Sequence, residues 1–104
     1  MKSLVVLILT VLALACIFGT YHDRKIEAHF IAVNPSMTEA DVRNLLADPA
    51  ATQPNCQAYG TDVTGNCDHV FVYKSFFSAV HPRYWLVFFG KDGLVTAKSR
   101  QVTP

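Results

Sequence analysis

The three cysteines are the side chains best able to do chemistry, and they fall in two different settings. Cys16 lies near the end of an apolar run that extends from Leu4 to Phe18. Cys56 and Cys67 are eleven positions apart in a stretch rich in Gly, Asn, Thr and Asp. An even pair of cysteines in a small exported domain is typical of a disulfide. We therefore predict a Cys56–Cys67 disulfide, which should stabilise the fold by about 2–3 kcal/mol.

A metal site is the alternative for the same two sulfur atoms, with His69 as a third ligand. Their spacing matches no common zinc pattern, because such patterns begin with two ligands two to four residues apart. A metal-dependent activity at Cys67, Asp68 and His69 remains an alternative hypothesis, which titration of free thiols would test. We predict no metal and no other cofactor.

Catalytic groups are not evident in the sequence. Glu39 and Asp41 are two positions apart and would face different sides of a helix. Asp68 and His69 are adjacent and would face opposite sides of a strand, and His81 falls in a predicted turn. The chain also lacks a nucleophile elbow, a phosphate-binding loop and a metalloprotease motif. We therefore predict that the protein is not an enzyme.

The apolar run beginning at Leu4 determines where the protein is expected to reside. It is about 15 residues long, shorter than the roughly 20 that cross a bilayer as a helix, and it follows Lys2. Such a segment is typical of a secretory signal peptide, and Ala13 and Ala15 fit a signal peptidase site. We predict that residues 1–18 are a signal peptide or a short membrane anchor.

Cys16 follows directly after the small residue Ala15, and this arrangement resembles the bacterial lipobox, in which the cysteine receives a lipid. Lipidation of Cys16, an uncleaved anchor and a cleaved soluble form all stay open. Each of them places residues 19–104, which we predict to be a single domain, outside the cytoplasm. The formal net charge is only +1 and the basic residues are scattered, so nucleic acid is not an expected partner.

Two helices are predicted before the strands. Apolar residues at helical spacing predict a short helix from about residue 23 to 33. The stretch SMTEADVRNLLADP predicts a second helix, which Asp48-Pro49 ends. A capping box that starts this helix is formed either by Ser36 with Glu39 or by Thr38 with Asp41.

Three strands are predicted after the helices, over residues 69–77, 83–90 and 94–102, from their β-branched and aromatic residues. The second is apolar on both faces, as expected for a central strand covered on both sides. A Gly-Lys-Asp-Gly turn joins it to the third. The predicted fold class is α+β, with two short N-terminal helices packed on a three-stranded antiparallel β-meander.

Aromatic side chains are the candidates for contact with a partner, because aromatic residues and arginine commonly anchor protein interfaces. We predict that Phe76, Phe77, Tyr84 and Trp85 bind a partner, and that Tyr73 and Phe89 join them if one face of the sheet lies away from the helices. The other interpretation is that these rings complete the core, since a small domain needs large side chains to bury enough area.

Two parts of the sequence resemble a known family. The stretch SMTEADVRNLLADP resembles the Gly-Met-Thr and Gly-x-Pro signature of the SmpA/OmlA family, and YWLVFFGKDGLVTAK resembles the last hairpin of that family. The resemblance covers roughly residues 30–100. Ser36 and Ala47 stand where the family usually has glycine. The family is the small lipoprotein component of the outer-membrane β-barrel assembly machinery, and its fold has two helices against a three-stranded sheet.

The resemblance and the export signal together predict a cell-envelope protein on the periplasmic side of a bacterial membrane, or a secreted one. Its expected role is that of a scaffold or protein-binding module, held at the membrane through its N-terminus. The expected partner is an envelope protein, with the outer-membrane assembly machinery as the one that the resemblance implies. The alternative is a secreted or periplasmic inhibitor that binds an enzyme, as the β-lactamase inhibitor protein does.

Overall fold

The computed structural model describes residues 1–54, 56 and 67–101, with Gln101 described by its backbone alone. The chain folds as α+β, with an N-terminal helix and an antiparallel sheet of four strands. Its elements, in order, are α1 (Lys2–Ile31), α2 (Glu39–Leu46), β1 (Ala51–Gln53), β2 (His69–Lys74), β3 (Tyr84–Phe89) and β4 (Val95–Gln101).

Helix α1 is a single helix of 30 residues, which corrects the predicted length of the first helix, whereas the second helix, α2, is short as predicted. The apolar run and the helix predicted from residue 23 to 33 are continuous, because no proline interrupts them and the one glycine, Gly19, costs a helix only about 1 kcal/mol. Only Gly19, Ile26 and Phe30 of α1 are buried. By length and composition, α1 could cross a membrane, and it is the one helix of the described residues that meets this test.

Helix α2 begins at a capping box formed by Thr38 and Asp41, the second of the two predicted pairs. The Asp41 amide donates to the Thr38 hydroxyl over 3.1 Å, and the Thr38 amide donates to the Asp41 carboxylate over 3.1 Å. Ser36 cannot act as the cap because it precedes the helix in a left-handed conformation, with φ of 74°, and its amide donates to the Val95 carbonyl. The segment around Thr38 thereby pairs with the beginning of β4.

The sheet is a meander in the order β1-β2-β3-β4. The strand β1 was not predicted, because Ala51-Thr52-Gln53 has no apolar alternation and becomes a strand only by pairing with β2. The other three strands are each shorter than predicted. For example, β2 ends at Lys74 because the chain turns at Ser75, and Val102 of the third predicted strand lies outside the described residues. The predicted tight turn joins β3 and β4, with Gly93 at φ of 77°.

Both faces of the sheet are covered, so β3 is buried along its whole length, as the sequence predicted. On one face, α1 and α2 pack against alternate side chains of the strands: Phe71, Tyr73, Trp85, Val87, Phe89 and Val95. The opposite face buries Val70, Val72, Tyr84, Leu86 and Phe88, with Cys56 and Cys67 packed against them.

Ala47 ends α2 in an unfavourable backbone conformation, with φ of 66° and ψ of −167°. Only glycine adopts this region without strain, which otherwise costs about 1–3 kcal/mol. The conformation is imposed by two hydrogen bonds, because the Ala47 amide donates to the Arg43 carbonyl and the Tyr73 hydroxyl donates to the Ala47 carbonyl over 2.9 Å.

We expect Ala47→Gly to raise the free energy of unfolding by about 1 kcal/mol, because glycine removes this strain but loses more entropy on folding. The matched control is Ala32→Gly, since exposed Ala32 has an ordinary φ of −78° and should lose stability on the same change. Thermal unfolding of the two variants checks the pair. A loss of stability in both would mean that Ala47 is not strained.

Candidate membrane-proximal binding site

Glu27 attaches α1 to the sheet through two side chains. Its carboxylate accepts from the Trp85 indole N–H over 2.6 Å, and Arg100 donates to it from Nη2 over 2.6 Å and from Nε over 3.0 Å. The hydrogen bond from Arg100 holds the pKa of Glu27 below its usual value, although burial acts in the opposite direction, and the Trp85 bond adds to the lowering. Charge-assisted hydrogen bonds of this bidentate kind fix the relative orientation of the two side chains.

The C-terminal end of α1 is held by Lys98. Its ammonium group donates to the Phe30 and Ile31 carbonyls over 2.9 and 3.0 Å. These carbonyls lie in the last turn of α1, where the Phe30 carbonyl also accepts from the Val33 amide over 3.1 Å. A cation at this end is favoured by the helix dipole. Together with Glu27, this contact fixes the second half of α1 against β3 and β4.

Asp23, one turn before Glu27, holds the loop that joins β2 to β3. The Ser75 hydroxyl donates to Asp23 Oδ2 over 2.6 Å, and the Phe76 amide donates to Asp23 Oδ1 over 3.0 Å. The buried Ser75 in turn accepts from the Phe77 amide. The loop over residues 75–83 is therefore held against α1 by hydrogen bonds.

Gly19 permits the closest approach of this loop to α1. A Cβ atom at Gly19 would lie 2.3 Å from Phe76 Cδ1 and 2.6 Å from Phe77 Cζ, far inside contact distance. One residue earlier, Phe18 meets Phe76 edge to face with ring centroids 5.7 Å apart. The position therefore requires glycine because two aromatic rings occupy the space of a side chain.

A groove of about 530 Å³ runs between α1 and the loop. We call it the α1 groove, and its lining residues are Thr20, Asp23, Arg24, Glu27, Ala28, Ile31, Phe77 and Arg83. The two carboxylates in it are occupied by the bonds described above, and Arg83 lies over the Trp85 ring, 5.2 Å from its centroid. Exposed Arg24 has no ion-pair or hydrogen-bond partner among the described residues.

The four predicted partner-binding aromatics divide into two pairs. Phe76 is 46% exposed and Phe77 is half-buried at the α1 groove, so both remain candidates for contact with a partner. Trp85 is 0% exposed and Tyr84 is buried, so their rings are not open to a partner in this fold. The prediction for these two was wrong, because β3 is covered on both faces.

Tyr73 and Phe89 were candidates only if they lay on a sheet face away from the helices, and they do not. These residues lie with Trp85 on the face that α1 and α2 cover. Alternation along a strand indicates which side chains share a face, but it does not indicate which face the helices will cover.

The predicted disulfide is present, with Cys56 bonded to Cys67 and their Cα atoms 6.3 Å apart. The two sulfur atoms of the alternative metal site are therefore bonded to each other, and neither is a free thiolate that could bind a metal. Residues 57–66 of the intervening stretch lie outside the described residues. Cys16 is a free, exposed cysteine on α1, three positions before Gly19.

His69 forms a polar cluster with Glu39 and Asp68 at the opposite end of β2. Its Nε2 lies 2.5 Å from Glu39 and its Nδ1 lies 3.0 Å from Asp68, while its ring stacks on Phe89. Burial alone would lower the pKa of His69, but the two carboxylates outweigh burial and raise it. The contact between adjacent Asp68 and His69 was not predicted. Asp68 lies just before β2, and its amide donates to the Phe89 carbonyl over 2.7 Å.

Sequence reasoning missed Gly19, Asp23, Glu27 and Arg24 as parts of a site. Asp23 and Glu27 share one face of a helix, a spacing that the sequence already contained. Their partners are more than 50 residues away, and nothing local identifies them. No family model, curated protein or solved structure matches the chain.

Proposed function

We propose that this protein is held at a membrane by its N-terminal segment and binds a protein partner, as a scaffold or binding module, on the oxidising side. The observation that carries the proposal is the α1 groove, which lies on the same helix as the membrane-compatible segment and directly after it. A partner bound there would be kept close to the bilayer at a fixed distance.

The membrane part of the proposal is supported by the first part of α1. Residues 3–21 contain no Asp, Glu, Lys or Arg, and as a helix they are about 28 Å long, close to the hydrocarbon thickness of a bilayer. Lys2 precedes this stretch and Arg24 and Lys25 follow it, so the basic residues differ by only one between the two sides and bias the orientation weakly. The Cys56–Cys67 disulfide favours placing the domain outside the cytoplasm.

Lipid attachment at Cys16 would also hold the domain at the membrane, without a membrane-spanning helix. Cleavage before Cys16 would remove the first half of α1 and leave Gly19 and the docked half unchanged. The acyl chains would then begin within one helical turn of the Phe18–Phe76 contact. In both forms, the domain sits directly on the membrane without a flexible linker.

Membership in the SmpA/OmlA family is part of the proposal, and the backbone supports it at two points. The resemblance places glycine at the positions of Ser36 and Ala47. These are the two non-glycine residues with positive φ in the described chain, at 74° and 66°. Glycine adopts such φ angles without steric cost. The glycines of the family pattern therefore fall at the two positions where this chain adopts positive φ.

The chemistry of the α1 groove indicates the kind of partner. Ala28, Phe77 and the 62% exposed Ile31 offer apolar contact, and Arg24 supplies an uncompensated positive charge. Aromatic and arginine side chains are enriched where proteins bind one another. We propose that the partner is an envelope protein that contributes an apolar segment bearing an acidic residue.

Site-specific photo-cross-linking in the intact envelope tests the partner. A photoreactive residue in place of Ile31 is expected to capture a discrete protein, whereas one in place of Lys91, in the turn between β3 and β4, should not. Arg24→Glu should abolish the capture because it reverses the charge at the groove, and Lys91→Glu is its matched control. Equal labelling from both positions, or capture that Arg24→Glu leaves unchanged, would remove the groove from the proposal.

Intact mass and membrane fractionation test the attachment. An uncleaved anchor gives the full-length mass in the membrane fraction, and lipidation gives a shortened chain carrying an acyl adduct that Cys16→Ser abolishes. A shortened chain without lipid in the soluble fraction would contradict attachment and favour the alternative of a secreted enzyme inhibitor.

A further inference from the structure

The tip of the loop between β2 and β3 carries apolar side chains that the described part of the protein leaves wholly or partly exposed. Val80 is 89% exposed and Phe76 is 46% exposed. The tip, which we define as residues 76–82, contains no Asp, Glu, Lys or Arg. Exposed apolar groups of this kind need a reason, because most of the other large apolar residues of the domain are buried in its two core clusters.

The position of this tip along α1 explains why Phe76 and Val80 are exposed. Phe76 contacts Phe18, which is the last residue of the apolar run, and it lies against Gly19. The first charged residue beyond the run is Asp23, so Phe18 lies about 5–8 Å inside the end of the uncharged stretch. Anything that covers the end of this stretch must therefore also reach Phe76.

The polar residues around the tip are arranged as at a membrane surface. Tyr21 is exposed on α1 close to the level of the tip, and tyrosine is enriched where the hydrocarbon meets the headgroups. Basic residues come next along the chain, with Arg24 and Lys25 after Tyr21 on α1 and Lys74 and Arg83 at the two ends of the loop. Basic side chains beside an apolar surface suit the negatively charged headgroup layer.

The tip is also held in a fixed position. Asp23 binds Ser75 and Phe76, and the Val80 and His81 amides donate to the Phe77 carbonyl over 3.0 and 2.7 Å. The loop is therefore a closed turn attached to α1, which presents Phe76 and Val80 in a defined direction.

We propose that residues 76–82 form a membrane-interface loop, in which Phe76 and Val80 enter the headgroup and upper acyl region of the leaflet beside α1. This inference rests on the proposed membrane attachment. The domain then contacts the bilayer at two points, through α1 and through the loop, and its orientation is fixed. The α1 groove consequently faces sideways along the membrane surface, where a membrane-embedded partner can reach it.

Spin labelling of the full chain in vesicles tests the loop. The protein, with Cys16→Ser to remove the free thiol, is placed in vesicles of phosphatidylcholine with a minority of phosphatidylglycerol. A nitroxide is attached through Val80→Cys, or through Ala79→Cys as a second site on the exposed tip. The matched control is Lys91→Cys, in the exposed turn at the other end of the sheet.

Power saturation with oxygen and with a water-soluble nickel chelate measures the environment of each label. We expect the labels at 79 and 80 to be more accessible to oxygen than to the nickel chelate, and the label at 91 to be more accessible to the nickel chelate. Nickel access at 79 and 80 equal to that at 91, in protein that floats with the vesicles, would overturn the interface loop and leave the membrane attachment intact. Broadening that grows with the protein-to-lipid ratio would assign the tip to a second copy and overturn it also. If neither this variant nor the unlabelled protein with Cys16 retained floats with the vesicles, the attachment itself would be contradicted instead.

Discussion

Trp85→Ala is expected to lower the free energy of unfolding by about 3–5 kcal/mol, as for other large aromatic residues truncated in a core. The ring is fully buried between the sheet and α1, so truncation to alanine leaves a cavity there. The variant also deprives Glu27 of a hydrogen bond from the indole. Because small domains are stable by only about 5–15 kcal/mol, this loss should release α1 from the sheet and open the α1 groove.

Thermal unfolding of the full chain in detergent measures this effect, and near-ultraviolet circular dichroism reports on the packing of the remaining aromatic rings. Trp85→Phe is the matched variant, because it keeps much of the ring and removes the N–H donor. Its expected cost is smaller, about 1–3 kcal/mol. If Trp85→Ala unfolded at the same temperature as a Lys91→Ala control, the contact between α1 and the sheet would have to be abandoned.

Replacement of both Cys56 and Cys67 by serine is expected to lower the free energy of unfolding by about 2–5 kcal/mol. The disulfide restricts the unfolded chain, and its two cysteines pack against the second face of the sheet beside Val70, Leu86 and Phe88. A domain of this size has a limited core, so a covalent link is a considerable share of its stability.

Cys16→Ser is the matched control for the double replacement, because it removes an exposed cysteine that bonds to nothing in the described chain. Its unfolding temperature should equal that of the unaltered protein. Thiol titration of the denatured, unreduced membrane form should find no more than one free thiol, and none if Cys16 carries a lipid. Three free thiols would contradict both the disulfide and the oxidising location.

The elements that could be predicted were those with a local cause. β-branched and aromatic residues predicted β2, β3 and β4, and Thr38 with Asp41 was one of the two capping pairs predicted for the start of α2. The strand β1 could not be predicted, since its three residues become a strand only through their pairing with β2. The length of α1 was underestimated because a signal-like run and a domain helix were treated as separate, although no residue between them ends a helix.

The candidate site was predicted only in part, for a similar reason. Phe76 and Phe77 could be selected by residue type, but Tyr84 and Trp85 have the same chemistry and are buried. Exposure depends on which face of the sheet α1 covers, and that depends on bonds such as those of Glu27 with Trp85 and Arg100. These join residues that are far apart in the chain.

The sequence by itself determined the apolar N-terminal segment, the cysteine pair, the α+β class and the capped second helix, because each depends on composition or on neighbours a few residues away. The tertiary structure alone decided that the second half of α1 packs against the sheet. It also decided that Gly19 and Asp23 hold an aromatic loop against that helix, leaving Phe76 and Val80 exposed beside the apolar run. Such contacts depend on distances between residues more than 50 positions apart, which no local pattern of side chains encodes.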